Sequence, residues 1–111
     1  MASSARIQAS DPDAIQDELR ARIGQLDRDF RLLSIGEICR RADSVRHIAR
    51  THGYEPLARL AGGLRDAIAR DGRGVAIAVW MEAMRDAIAL RTHDEATARA
   101  VLAAVSVRLA I

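Results

Sequence analysis

The segment SIGEICRRADSVRHIARTHG, residues 34–53, decides the fold because it has the features of a complete amphipathic helix. Ser34 can cap its start, and Gly53 is placed to end it in a left-handed conformation. Between them, apolar residues recur at intervals of three and four, the period of a helix with one buried side. The predicted buried stripe is Ile35, Ile38, Ala42, Val45 and Ala49.

The same period occurs before and after this segment. Ser10-Asp11-Pro12 supplies an N-cap with proline in the first turn, which predicts the start of an earlier helix. Its stripe is Ile15, Leu19, Ile23, Leu26, Phe30 and Leu33. A later helix is predicted to begin near Pro56 and to end before Gly72. Its buried residues are Leu57, Leu60, Ala61, Leu64 and Ile68.

Two further helices complete the chain. One is predicted from about residue 74 to residue 91, and it presents Ile77, Trp80, Met81, Met84 and Ile88. The last starts at Thr92 to Asp94 and is predicted to bury Ala98, Val101, Leu102, Val105 and Leu109. No segment has the period of a strand. We therefore expect an all-α fold, an antiparallel four-helix bundle with an additional helix, in which residues 11–111 form one domain after a disordered lead-in of residues 1–10.

Gly62 and Gly63 lie inside the third predicted helix, where each costs roughly 1 kcal/mol relative to alanine. A pair of glycines at such a position indicates that another part of the molecule approaches the helix backbone closely.

Composition excludes several classes of protein. All 17 basic residues are arginine, and 15 acidic residues are interspersed with them, so the formal charge is +2 without the basic stripe that nucleic-acid binding requires. The single cysteine, Cys39, excludes an internal disulfide. From these residues we expect neither a signal peptide nor a membrane span, since the apolar runs are too short. We expect a cytoplasmic protein that binds neither nucleic acid nor membrane.

The polar side of the helix in residues 34–53 is the candidate functional surface. Opposite the apolar stripe, the spacing aligns Gly36, Arg40, Asp43, His47 and Arg50. The imidazole of His47 is therefore predicted to point outward. Asp43 and His47 are one turn apart on the same face and are predicted to lie within reach of each other.

These residues resemble the histidine-phosphotransfer family, whose motif is H-x-x-K-G-x-[SA]-x-x-x-G on an exposed helix of a four-helix bundle. With Gly53 as the last glycine, the motif positions hold Asp43, Arg46, His47, Ala49 and Gly53. The leucines after Gly53 and the turn ARDGRG, residues 69–74, are similar to the family's next helices, and the resemblance covers roughly residues 15–91. The chain departs from the motif because aspartate replaces the phosphohistidine, His47 replaces a glycine and Arg65 replaces an acidic residue.

The resemblance implies docking to a response-regulator receiver domain or a sensor kinase in two-component signalling. The implied partner-binding residues are Arg40, Asp43, Arg46, His47 and Arg50. A carboxylate such as Asp43 is a poor phosphoacceptor, so His47 is the candidate, with Arg50 steadying the phosphate. Three alternatives stay open: a solvated face without chemistry, docking without phosphotransfer, and a helical interaction or oligomerisation module unrelated to phosphorelays. In the last case the alanine-rich fifth helix offers a seam for a homodimer.

The remaining polar residues give little indication of chemistry. His52 and His93 lie at predicted helix ends, where histidines commonly act as caps. Cys39 is predicted to be a packing residue at the border of its helix. Asp43 and His47 have metal-ligand spacing, but a site needs a third ligand that the sequence does not supply. We therefore predict no metal, no cofactor and no enzymatic activity.

Overall fold

The computed structural model describes residues 12–74 and 76–110, and these form an all-helical protein without strands. This confirms the predicted all-α bundle. The predicted cap at Ser10 and Asp11 and the lead-in of residues 1–10 lie outside the described residues. The described part contains five α-helices and one short 3₁₀ helix, Phe30–Leu32. The α-helices are α1 Pro12–Asp29, α2 Ile35–Thr51, α3 Glu55–Asp71, α4 Ala76–Ile88 and α5 Glu95–Ala110.

The helix ends follow from local hydrogen bonds. The hydroxyl of Ser34 accepts a bond of 3.1 Å from the backbone N–H of Glu37, which caps α2 as predicted. At the other end Gly53 has φ +80°, a left-handed conformation that glycine adopts at little cost. The carboxylate of Asp94 accepts from the backbone N–H of Thr97 at 2.9 Å and caps α5. This bond is the main reason that the pKa of Asp94 is lowered.

The first four helices form a closed ring. α1 packs against α2 and α4, and α3 packs against the same two helices from the opposite side. α1 and α2 run antiparallel, because Arg22 on α1 reaches Ser44 on α2 while the later Asp29 reaches the earlier Arg41. The fifth helix lies outside the ring against α3 and α4. α3 and α4 are therefore the two helices that pack both within the ring and against α5.

A single hydrophobic core joins the five helices, from Ile15 on α1 to Val105 on α5. The prediction of burial was wrong for two residues: Ile35 is 42% exposed and Leu109 is 41% exposed. Ile35 is the first residue of α2 and precedes the first buried residue of that helix, Ile38, by almost one turn. Leu109 lies one turn beyond Val105, the last core residue of α5. Within the described residues, no helix combines the length and apolar character needed to cross a bilayer.

The two glycines in α3 permit close packing, as predicted. A Cβ atom at position 63 would lie 2.4 Å from the Trp80 ring, and one at position 62 would lie 3.3 Å from Cδ of Arg46. The indole of α4 thus rests directly on the α3 backbone at Gly63. The aliphatic part of the Arg46 side chain crosses α3 at Gly62. This contact joins the core of the bundle to the polar side of α2.

Candidate functional site on helix α2

Helix α2 presents a charged surface because its opposite side is fixed in the core. Ile38, Ala42, Val45 and Ala49 are at most 1% exposed, so the rotation of the helix about its axis is set. The polar residues then point away from the bundle. We call this surface the α2 face and define it by Arg40, Asp43, Arg46, His47 and Arg50. Arg40, His47 and Arg50 are exposed, whereas Asp43 and Arg46 are half-buried.

Asp43 is held by two arginines from two helices. Its Oδ1 atom accepts hydrogen bonds from Nε of Arg46 at 2.9 Å and from Nη1 of Arg65 on α3 at 2.7 Å. The bond from Arg46, followed by that from Arg65, holds the pKa of Asp43 below its ordinary value, although partial burial acts in the opposite direction. The carboxylate is therefore ionised at neutral pH and its charge is neutralised locally.

Arg65 is a member of this cluster that the sequence pattern did not indicate. Its guanidinium bonds Asp66 at 3.1 Å in addition to Asp43, and these bonds raise the pKa of Arg65 in that order. The side chain joins α3 to α2 across the surface of the bundle. One feature of the sequence could have indicated this role. Arg65 lies one turn from Gly62 on α3, beside the helix that contains Asp43.

Asp43 and His47, predicted to lie within reach of each other, form no hydrogen bond in the described structure. The side-chain bonds of Asp43 go to Arg46 and Arg65, although His47 lies one turn away on the same helix. Among residues 12–74 and 76–110, the imidazole of His47 and the guanidinium of Arg50 have no hydrogen-bonding or ionic partner. Both side chains are exposed and three residues apart. They can therefore contact a second molecule without breaking an internal bond.

The other two histidines and the cysteine are not part of the α2 face. His52 is the C-cap residue of α2. The ring of His93 packs on Tyr54 with 4.5 Å between ring centroids, and its Nδ1 atom is buried without a partner in the described structure. Cys39 is half-buried, with Sγ 3.9 Å from the carbonyl oxygen of Arg65. In the part of the chain that the structure describes, no three His, Cys, Asp or Glu side chains are grouped to hold a metal ion.

A groove between α1 and α2 borders the α2 face at Arg40. It has a volume of about 350 Å³ and is lined by residues of both helices. We call it the α1–α2 groove, and its polar lining is Arg22, Gln25, Glu37, Arg40, Arg41 and Ser44. The sequence pattern did not reveal this groove, because periodicity places each residue on its own helix and does not show which residues of two helices face each other.

Comparison with known protein families, curated proteins and solved structures finds no match to this chain. The geometry of its own residues is therefore the basis for any functional assignment.

Proposed function

We propose that this chain is a signalling protein of histidine-phosphotransfer type, whose α2 face docks the receiver domain of a response regulator. The observation that supports this best is the state of His47 and Arg50. Both are exposed on a helix of fixed orientation, and neither side chain has a partner within the described residues. Such a pair is accessible to another protein at no cost in internal bonds.

The charges of the α2 face favour an acidic partner. Arg40 and Arg50 are exposed at the two ends of the face, while Asp43 is neutralised by Arg46 and Arg65. A receiver domain presents an acidic pocket around its phosphorylated aspartate. Opposite charges across the interface increase the rate of encounter and fix the relative orientation of the two proteins.

The geometry favours His47 over Asp43 as the phosphoacceptor. The Oδ1 atom of Asp43 accepts from two guanidinium groups, and a carboxylate also repels an incoming phosphoryl group. A neutral imidazole nitrogen is an effective nucleophile near neutral pH. In the proposed step, a ring nitrogen of His47 forms a bond to phosphorus, the bond between phosphorus and the acyl oxygen of the receiver breaks, and the electron pair leaves with the receiver carboxylate. Arg50, nearly one turn further along α2, is placed to offset the charge of the transferred group.

Transfer is tested by incubating the chain with a receiver that carries labelled phosphate. The wild type is expected to acquire acid-labile label, and His47→Gln is expected to acquire none. The matched control is His52→Gln, which removes another exposed histidine at the end of the same helix and should retain the label. Absence of label in the wild type would exclude phosphotransfer and leave docking as a separate question.

Docking is tested by measuring receiver binding with Arg50→Glu. Reversal of this charge is expected to weaken binding by about tenfold or more, since like charges at an interface are strongly unfavourable. Arg91→Glu is the control, because Arg91 is also exposed and lies outside the α2 face. If no receiver from the source organism binds the wild type, the docking proposal is wrong.

A second candidate function is that of a helical oligomerisation module, and it is favoured by one observation on α5. One exposed stripe of this helix is apolar and contains Ala96, Ala100, Ala103 and Val107, of which Val107 is 63% exposed. A homodimer through α5 would cover that side. Val107→Asp should then convert a dimer into a monomer in sedimentation experiments, whereas Leu32→Asp, at an apolar residue that is 88% exposed elsewhere, should leave the assembly unchanged. A wild type that sediments as a monomer would exclude this candidate.

A further inference from the structure

The α1–α2 groove has the size and the walls of a small-molecule site. Its volume of about 350 Å³ falls in the range of roughly 300–1,000 Å³ that ligand pockets occupy. Its lining includes one apolar residue, Val45. The polar walls come from two helices that are fixed relative to each other by the core, so the groove exists before any ligand binds.

The groove is lined by more cationic than anionic side chains. Its lining includes three guanidinium groups, those of Arg22, Arg40 and Arg41, and one carboxylate, that of Glu37. Two further carboxylates reduce this charge from outside the lining: Glu18 bonds Nε of Arg22 at 2.7 Å, and Asp29 lies 3.6 Å from Nη1 of Arg41. With these two acids counted, the three guanidinium groups and three carboxylates balance in formal charge, so anion binding here depends on the guanidinium N–H donors that line the groove and not on net charge.

Glu37 holds two of the arginines in place. Its Oε1 atom accepts from Nε of Arg40 and its Oε2 atom accepts from Nε of Arg41, both at 3.0 Å. The bond from Arg41 contributes most to lowering the pKa of Glu37, and Arg40 adds to it. Arg22 is oriented from α1 by a bond of 3.1 Å between its Nη1 and the hydroxyl of Ser44. Each guanidinium is thus held through Nε and one terminal nitrogen.

Each of the three arginines also retains an unused donor. Nη2 of Arg22, Nη1 of Arg40 and Nη2 of Arg41 have no hydrogen-bond partner within residues 12–74 and 76–110. Oriented guanidinium groups with free N–H donors form charge-assisted hydrogen bonds to the oxygens of phosphate and carboxylate groups. We propose that the α1–α2 groove binds a small molecule through a phosphate or carboxylate group. This site is separate from His47 and does not depend on the phosphorelay proposal.

The experiment is a titration of the full chain with inorganic phosphate and, separately, with citrate at constant ionic strength, followed by calorimetry and by backbone amide NMR shifts. Constant ionic strength is needed because salt screens exposed charges. Saturable binding is expected, with the largest shifts at Gln25 and Ser44. Binding of phosphate alone, citrate alone or both identifies the group that the site prefers, and saturable binding of neither overturns the proposal.

Two variants test the location of the site. Arg41→Gln and Arg22→Gln, one from each wall, are each expected to weaken binding by about tenfold, the effect of losing one charge-assisted hydrogen bond. The matched control is Arg59→Gln: Arg59 is 33% exposed and paired with Glu55 and Glu95, whereas Arg41 is 35% exposed and paired with Glu37 and Asp29. Equal weakening in all three variants would show that the anions respond only to total charge, and would also overturn the proposal. Circular dichroism of each variant checks that the bundle still folds.

Discussion

The contact between Gly63 and Trp80 predicts that Gly63→Ala destabilises the protein, although helix propensity alone favours alanine over glycine at this position. In a helix interior, alanine is about 1 kcal/mol more favourable than glycine. At position 63, however, the new Cβ would lie 2.4 Å and 2.5 Å from two atoms of the indole. Normal carbon contacts are about 3.5–4.0 Å, so the ring would have to retreat by roughly 1 Å. Trp80 is only 9% exposed and is enclosed by the core.

The magnitude follows from two opposing terms. Overpacking of a well-packed core costs about 1–3 kcal/mol, and the gain in helix propensity offsets about 1 kcal/mol of it. We expect Gly63→Ala to reduce the free energy of unfolding by about 1 kcal/mol and the midpoint of thermal unfolding by about 4–6 °C. Urea unfolding followed by far-UV circular dichroism measures the first quantity, and a thermal scan measures the second.

The adjacent glycine provides the control. Alanine at position 62 would place Cβ 3.3 Å from Cδ of Arg46, a flexible stem that can move by a few tenths of an ångström. Gly62→Ala is therefore expected to stabilise the protein by up to about 1 kcal/mol, the opposite sign. In a Trp80→Phe background the smaller ring should remove much of the penalty at position 63. Equal stabilisation by both alanines in the wild-type background would refute the close contact between α3 and α4.

Three further predictions concern capping, the core and pH. Ser34→Ala should destabilise the protein by about 1 kcal/mol through loss of the α2 cap, measured by urea unfolding, whereas Ser106→Ala on the exposed side of α5 should not. Leu60→Ala in the core should cost about 2–5 kcal/mol, whereas Leu32→Ala, 88% exposed, should leave the unfolding midpoint nearly unchanged; similar effects would contradict the described burial. Because Arg46 and Arg65 lower the pKa of Asp43, its carboxylate stabilises the fold above the ordinary pKa of 3.8 and loses this effect as pH falls through the lowered value. Asp43→Asn should therefore be less stable than the wild type at pH 7 by a margin that narrows in strong acid, and a margin independent of pH would count against the ion pairs.

The helical period predicted the helices and most of the core because each stripe reports which side of its own helix is apolar. The period could not show where the apolar side of a helix has no neighbouring helix to cover it. Ile35 continues the stripe of α2 and Leu109 that of α5, yet both are exposed. α5 is especially ambiguous, since apolar residues occur on its outward side as well as its inward side, so the pattern does not select one face. The change from α1 to the 3₁₀ helix at Phe30 was also absent from the pattern, because Phe30 and Leu33 continue the same spacing.

The candidate site was predictable to the extent that it depends on one helix. The outward direction of His47 follows from the stripe of α2, and the structure bears it out. The partners of Asp43 were not predictable, because Arg65 comes from another helix, 22 residues away in sequence. The same limit applies to the α1–α2 groove, where Arg22 and Arg41 become neighbours only after α1 and α2 have packed. Roles in phosphotransfer and docking stay predictions.

The position of Trp80 gives the protein an internal optical probe. It is the only tryptophan in the chain, and its indole nitrogen is buried without a partner in the described structure. Its fluorescence should therefore report the polarity at the junction of α3 and α4, whereas His47 lies on the exposed side of α2. A ligand that merely covers the polar side of α2 should leave the emission wavelength unchanged, whereas one that separates the helices should shift it to the red as water reaches the ring. Tryptophan emission can thus distinguish ligand binding at the surface from rearrangement of the bundle, without an attached dye.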